Sequence, residues 1–120
     1  MAPPTAPAPR APSTVKLHTV SGSNRADHLI GTAAADLING LGGNDSIYGG
    51  KGNDRLNGGR GNDTITGGPG HDTITGGPGN DLITARDRAT DTIDCGAGRD
   101  IVSADKADKV ARNCEVVHRT

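Results

Sequence analysis

The chain has no Trp and no Phe, and its single Tyr is Tyr48. A core built on aromatic rings is therefore excluded in these 120 residues. Glutamate is almost as scarce: of the 14 acids only Glu115 is Glu, and the rest are Asp, a turn and ligand residue rather than a helix former. The 13 Lys and Arg are scattered, with Arg86 and Arg88 the nearest approach to a cluster. With no rings on which bases could stack, the sequence argues against a nucleic-acid partner. No apolar run is long enough to cross a bilayer. The opening stretch MAPPTAPAPRAPST lacks the apolar h-region of a secretory signal. It reads as a disordered Pro/Ala-rich segment over residues 1–14, either a natural tether or a cloning or processing remnant.

What is plentiful is glycine, 19 residues of it, and it is periodic. Gly recurs every nine residues at 22, 31, 40, 49, 58, 67 and 76, and Asp follows five places later at 27, 36, 45, 54, 63, 72 and 81. Two places beyond each Asp stands one aliphatic: Leu29, Ile38, Ile47, Leu56, Ile65, Ile74 and Ile83. A period held this strictly is the signature of a solenoid, and the blurring of the first two copies is what capping repeats require. Within a copy, the Gly-rich six residues suit a turn. The Asn or His before each Asp (Asn44, Asn53, Asn62, His71, Asn80) is expected to share the left-handed backbone of glycine. The next three residues, such as Thr64-Ile65-Thr66, alternate like a short strand with its aliphatic inward. Two copies make one coil of about 18 residues, so copies n and n+2 stack at strand spacing and give an all-β roll of two parallel sheets around a thin aliphatic seam.

Stacking creates an electrostatic problem. One edge carries Asp27, Asp45, Asp63 and Asp81 in file and the other Asp36, Asp54 and Asp72. Neighbouring carboxylates about 5 Å apart repel by about 3 kcal/mol at an effective dielectric near 20. A hard divalent cation between stacked loops turns that repulsion into coordination, because carboxylate oxygens and exposed turn carbonyls are the ligands Ca²⁺ takes. Mg²⁺ resists dehydration and fits an all-protein oxygen site poorly. Zinc fits worst, since the repeating positions offer neither Cys nor a regular His.

The four consecutive copies between Gly49 and Thr84, GGKGNDRLN-GGRGNDTIT-GGPGHDTIT-GGPGNDLIT, resemble the GGxGxDxUx nonapeptides of the RTX, or haemolysin-type, calcium-binding repeats. The clear likeness covers residues 40–84, with degenerate copies over 22–39 and a divergent C-terminal cap over 85–120. The resemblance implies a right-handed parallel β-roll over residues 15–120 with several Ca²⁺ between loops n and n+2. It also implies the ligands: carbonyls at turn positions two and four with the Asp of the first loop, and carbonyls at positions one and three with the Asp of the second. Carried onto this chain, one site uses Leu41, Gly43 and Asp45 with Gly58, Arg60 and Asp63. The next uses Gly50, Gly52 and Asp54 with Gly67, Pro69 and Asp72, and a third uses Gly59, Gly61 and Asp63 with Gly76, Pro78 and Asp81. Asp63 then touches two ions, one through each carboxylate oxygen. Pro69 and Pro78 are compatible because only their carbonyls are required. Further out, Thr32, Ala34 and Asp36 would pair with Gly49, Lys51 and Asp54, and Ser23, Arg25 and Asp27 with Gly40, Gly42 and Asp45. Beyond Ile83 the stretch ARDRATDTID holds one extra residue, which is expected to displace Asp91 and interrupt its file. CGAGRDIVS then restores the pattern, so that Gly77, Gly79 and Asp81 pair with Cys95, Ala97 and Asp100, and Asp108 and Val110 belong to a closing coil.

Cys95 and Cys114 fall on the same edge one coil apart, within disulfide reach; two free thiols in a reducing compartment are the alternative. Neither has a neighbouring His or a CxxC spacing, so redox catalysis is not expected. His18, His28, His71 and His118 share no spacing and read as turn or surface residues, His71 filling the Asn slot. Nothing resembles a nucleophile with a base or a phosphate loop, and a filled seam leaves no substrate cavity, so no enzyme is expected. The reading is a secreted, monomeric calcium-binding roll whose folding depends on Ca²⁺. Its alternatives are an adhesion or ice-binding surface with structural Ca²⁺, or the calcium module of a larger secreted enzyme or toxin.

Overall fold

A computed structural model of the chain describes residues 18–119. The expected disordered segment 1–14 lies outside the described residues. Twelve short strands follow one another: β1 (His18–Ser21), β2 (His28–Ile30), β3 (Asp36–Asn39), β4 (Ser46–Tyr48), β5 (Arg55–Asn57), β6 (Thr64–Thr66), β7 (Thr73–Thr75), β8 (Leu82–Thr84), β9 (Thr92–Asp94), β10 (Ile101–Ala104), β11 (Lys109–Val110) and β12 (Val116–Arg119). Odd-numbered strands form one parallel six-stranded sheet and even-numbered strands the other. The chain crosses from sheet to sheet at every turn, and like repeats stack on like. Ile47 lies beside Ile65 and Ile65 beside Ile83 in one sheet, Leu56 beside Ile74 in the other.

The alternation read from the sequence sets the faces. In β4 through β9 the middle residue is buried and its predecessor exposed. Leu29, Ile38, Ile47, Leu56, Ile65, Ile74, Ile83, Ile93 and Val102 fill the seam, and Val20 and Val110 pack on its ends. With one aliphatic per copy the core is a single file from each sheet. Outward threonines form no flat array: Thr64 and Thr66 lie between Ser46/Tyr48 and Leu82/Thr84, and Thr73/Thr75 beside Arg55/Asn57.

Two expectations are corrected. The extra residue after Thr84 does not interrupt the Asp91 file. β9 keeps its register on β7, with Thr92 beside Thr73 and Ile93 beside Ile74. Five residues, 86 to 90, absorb the insertion, and Arg88 takes φ 73° to do so. The seam and the ladder fix the strand, and the loop yields. Nor do the Asn residues before each Asp adopt left-handed backbone: among the described residues only Leu41 and Arg88 do so without being glycine. Their amides form a ladder instead. Asn44 Oδ1 accepts the N–H of Asn62 at 2.8 Å, Asn62 that of Asn80 at 2.8 Å, and Asn80 that of Arg99 at 2.8 Å. His71 donates its own N–H to Asn53 Oδ1 at 2.9 Å, and its Nδ1 lies 2.9 Å from the Thr90 carbonyl oxygen and 3.2 Å from the Thr90 nitrogen, so its tautomer sets whether the ring donates to the one or accepts from the other.

Two glycines illustrate two different demands of the turn. Gly61, at turn position four, has φ 103°, which an L side chain adopts only under strain. Gly58, at position one, stands where a Cβ would lie 2.6 Å from Asp63 Oδ2 and 2.8 Å from the carbonyl of Gly76, so it is glycine for want of space.

The last coil is clipped by a disulfide between Cys95 and Cys114, Cα atoms 5.2 Å apart. Beside it Asn113 Oδ1 accepts the Cys95 N–H at 3.1 Å while its amide donates to Asp94 Oδ1 at 2.6 Å. Closing a loop of about 20 residues in the unfolded chain contributes about 3 kcal/mol. Cys114→Ser is therefore expected to lower the thermal midpoint by several degrees. A midpoint unchanged between this variant and the parent, both in excess Ca²⁺, would show that the clip contributes nothing.

Candidate metal centres along the aspartate files

The turn after each strand carries its Asp to the same place on the edge, and the aspartates are buried there: Asp36, Asp45, Asp54, Asp63, Asp72, Asp81, Asp91, Asp100 and Asp108 are all at most 5 % exposed. They form two files. Along one, the backbone N–H of Asp27 donates to Asp45 Oδ1, Asp45 to Asp63, Asp63 to Asp81 and Asp81 to Asp100, each at 2.8 Å. Along the other, Asp36 donates to Asp54, Asp54 to Asp72, Asp72 to Asp91 and Asp91 to Asp108, at 2.7 to 2.8 Å. Each carboxylate thus takes the place of a carbonyl in the ladder between coils. The repeating Asp has a backbone role that its reading as a pure ligand missed. The signal in the sequence was that it stands at the start of a strand, directly before the first residue in β2 and in β4 through β11 and as the first residue in β3, where a sheet bond falls due.

Only one oxygen is used in this way. Oδ2 of Asp45, Asp54, Asp63, Asp72, Asp81, Asp91 and Asp100 is buried with no hydrogen-bond partner in the protein. A buried carboxylate oxygen left so is costly unless it is protonated or meets a cation. Burial above all, and then like-charged neighbours along the file, push the acids up: Asp54 and Asp63 to about 6, Asp81 and Asp91 to about 7, and Asp72 to about 8. Asp45 and Asp100 are raised for the same first reason.

Four of these orphaned oxygens have a carbonyl for company. Around the position where a Cβ on Gly40 would stand, Asp45 Oδ2 and the Gly58 carbonyl both lie at 2.5 Å. Around Gly49 the pair is Asp54 Oδ2 at 2.8 Å and the Gly67 carbonyl at 2.6 Å; around Gly58 it is Asp63 Oδ2 at 2.6 Å and the Gly76 carbonyl at 2.8 Å. Around Gly76 it is Asp81 Oδ2 at 2.6 Å and the Cys95 carbonyl at 2.7 Å. The absent side chain leaves a cradle into which a carboxylate oxygen of one loop and the first carbonyl of the next converge. These pairings join loops n and n+2 as the sequence implied.

Carbonyls at turn positions two and four face the next coil as well: Leu41, Gly50, Gly59 and Gly77 face Gly59, Gly68, Gly77 and Gly96, and Gly43, Gly52, Gly61 and Gly79 face Gly61, Gly70, Gly79 and Gly98. At position three, Arg60 donates its N–H to the Leu41 carbonyl at 2.8 Å. Pro69 and Pro78, at the same position, have no N–H to give, which leaves the Gly50 and Gly59 carbonyls without that competitor. Pro78 and Ala97 carbonyls accept the N–H groups of Gly61 at 3.2 Å and Gly79 at 3.1 Å. Lys51 occupies the corresponding place in the Gly49–Asp54 loop.

The N-terminal loops differ. Thr32 donates its N–H to Asp36 Oδ2 at 2.6 Å and its hydroxyl to Oδ1 at 2.9 Å, and His18 Nδ1 lies 3.1 Å from Oδ1. Burial pushes Asp36 upward, but these partners together hold it below the usual carboxylate value. Ser23 bonds Asp27 from the same turn position, donating its N–H to Oδ2 at 2.6 Å and its hydroxyl to Oδ2 at 3.1 Å. A hydroxyl residue at turn position two supplies from the protein what the central loops lack.

The donor set of the central loops, carboxylate and carbonyl oxygens converging on buried cradles, suits a hard cation of the Ca²⁺ kind. A family model for the RTX calcium-binding nonapeptide repeat (4 copies) matches residues 21–56 and 48–83, together 63 of the 120 residues. The chain belongs to the RTX calcium-binding nonapeptide repeat family, and its all-β architecture of two parallel sheets is the β-roll of that family. Such repeats suggest calcium binding, and a β-roll of this kind is a structural module. A comparison with curated proteins returned no match.

A proton would satisfy the same oxygens as a cation. Because these acids titrate higher in the fold than the ordinary value of 3.8, protonation favours the folded roll. That stabilisation is complete below 3.8 and is lost as pH rises through about 6 to about 8. In EDTA, the far-UV β signal is expected to be stronger at about pH 5 than at about pH 8. The reverse order would show that the buried carboxylates are not destabilising in the metal-free roll.

Proposed function

We propose that the chain is an extracellular, monomeric calcium-binding β-roll whose folding is coupled to Ca²⁺. The observation that carries this reading is the row of buried, unpartnered Oδ2 atoms, four of them set beside a backbone carbonyl of the next coil. Three central ions sit between Leu41/Gly43/Asp45 and Gly58/Arg60/Asp63, between Gly50/Gly52/Asp54 and Gly67/Pro69/Asp72, and between Gly59/Gly61/Asp63 and Gly76/Pro78/Asp81. A further ion joins Gly77/Gly79/Asp81 to Cys95/Ala97/Asp100. The pairing of Asp36 with Gly49, Lys51 and Asp54 gives a weaker site, since Thr32 already occupies the Asp36 oxygens. Asp63 serves two ions: its Oδ2 belongs to the cradle shared with Gly76, and its Oδ1, beside the Asp45 N–H, faces the preceding site with a lone pair to spare.

Charge neutralisation between coils supplies what a seam one aliphatic wide does not, so the ion's binding free energy becomes folding free energy. Affinities of about 0.1 to 1 mM per site, those of extracellular calcium modules, keep such a chain unfolded where Ca²⁺ is scarce and fold it after export. A buried disulfide agrees with an oxidising compartment. The test is far-UV circular dichroism at neutral pH, in EDTA and then in millimolar CaCl₂, with calorimetry to count ions. The β signal is expected to appear with Ca²⁺, and an unchanged spectrum refutes the coupling. Asp63→Asn is expected to cost two ions and Asp100→Asn one. Equal losses would refute the shared role of Asp63.

A further inference from the structure

The loop between β8 and β9, Ala85-Arg86-Asp87-Arg88-Ala89-Thr90-Asp91, contains no glycine and one residue more than its neighbours. Its cradle is also unlike the others. A Cβ on Gly67 would meet Asp72 Oδ2 at 2.5 Å, Asp72 Cγ at 3.2 Å and Ile74 Cδ1 at 3.3 Å, so the carbonyl that joins the carboxylate around Gly40, Gly49, Gly58 and Gly76 is not among its nearest atoms. One oxygen from each of Asp72, Asp87 and Asp91 lies within 4.8 Å of the other two.

Asp87 is held for that purpose from both sides. Its Oδ1 accepts the N–H of Ala89 at 2.9 Å, closing an Asx turn. Asp105 Oδ2 accepts the N–H of Asp87 at 2.8 Å and of Arg88 at 2.6 Å, fixing the loop on the coil below. The remaining oxygen, Asp87 Oδ2, is buried and unpartnered, as are the Oδ2 atoms of Asp72, 2 % exposed, and Asp91, fully buried. Two nine-tenths-buried carboxylates and a third anchored by its own turn therefore present oxygens that the protein leaves unmatched.

We propose that Asp72, Asp87 and Asp91 form a three-carboxylate cation site, in which the Asp87 side chain replaces a turn carbonyl, and that this site binds a hard di- or trivalent cation more tightly than the regular repeat sites do. This rests on the calcium-binding reading above. A full charge in place of a carbonyl dipole raises affinity for Ca²⁺, and more steeply for a lanthanide, because the attraction scales with the ion's charge. The insertion that breaks the repeat thus adds a ligand as it removes the glycines.

The test is calorimetric titration of the intact, disulfide-bonded chain with CaCl₂, and of Asp87→Asn. The amide keeps the Oδ1 acceptor of the Asx turn and replaces the free, charged Oδ2 with an NH₂ that does not ligate a cation. Expected is loss of the tightest class of site, with the first binding step about tenfold weaker in the variant. If the parent takes up no Ca²⁺, the calcium-binding reading falls and this site with it. If the parent binds Ca²⁺ and Asp87→Asn titrates with the same count and the same first step, the calcium reading stands and the three-carboxylate site is overturned. An independent measurement needs no variant: the excitation line of bound Eu³⁺ moves with the number of anionic ligands. The loaded parent chain is expected to show a minor class with one more anionic ligand than the rest, and a single class overturns the proposal.

Discussion

An aspartate carboxylate sits in the ladder where another fold would have a peptide carbonyl, and it leaves one oxygen over. Asp45, Asp63 and Asp81 each take the N–H of the aspartate one coil back through Oδ1, with Oδ2 buried and unmatched. Those two facts pull in opposite directions. The N–H bond fixes register as firmly as any strand pair, since slipping by one residue would lose it in every coil at once. The spare oxygen makes each such bond costly while the group is charged, because neighbours in the file carry the same sign.

The rest of the repeat follows from making room for the partner of that oxygen. Position one is glycine because a Cβ there would fill the space between Asp Oδ2 and the carbonyl of the next coil. Position four is glycine because the chain passes through positive φ to aim its carbonyl at the following loop, as at Gly61. Side chains are thereby removed from the turns, and one inward aliphatic per strand is all that remains for a core. A thin seam is the geometric consequence of an edge lined with carboxylate and carbonyl oxygens, and the two features cannot be tuned separately.

Periodicity carried most of this. The nine-residue count gives the strands, their inward residues, the n to n+2 stacking and both aspartate files, and the register runs Ile47, Ile65, Ile83 as the spacing requires. What it did not carry were events within a turn, where side-chain bonds compete with backbone conformation. The Asn slot looked like a left-handed backbone position and is an amide ladder, since Asn44, Asn62 and Asn80 spend their oxygens on the next coil. The insertion after Thr84 looked like a break because spacing counts residues. Strand pairing responds to buried area and to the Asp72–Asp91 bond, and it holds the register across a longer loop. Asp87 stayed out of sight for the same reason: it falls outside the count, and only the folded loop brings it to Asp72 and Asp91.

The roll is held by different chemistry along its length. At the N-terminal end Ser23 and Thr32 turn their N–H and hydroxyl groups on Asp27 and Asp36, satisfying them within the loop. At the C-terminal end a disulfide and the Asn113 amide close the final coil, and neither depends on a cation. Between them lie the loops whose oxygens the protein leaves unmatched. A repeat array is stable only as a chain of neighbour contacts, so its ends fray first unless they are capped. Self-satisfied end loops act as such caps without an ion, while the unpartnered oxygens are gathered in the loops from Gly40 to Asp100. The buried carboxylate oxygens without a hydrogen-bond partner are thus confined to the part of the roll between those end loops, and on the calcium-binding reading proposed above that is where stability depends on the cation.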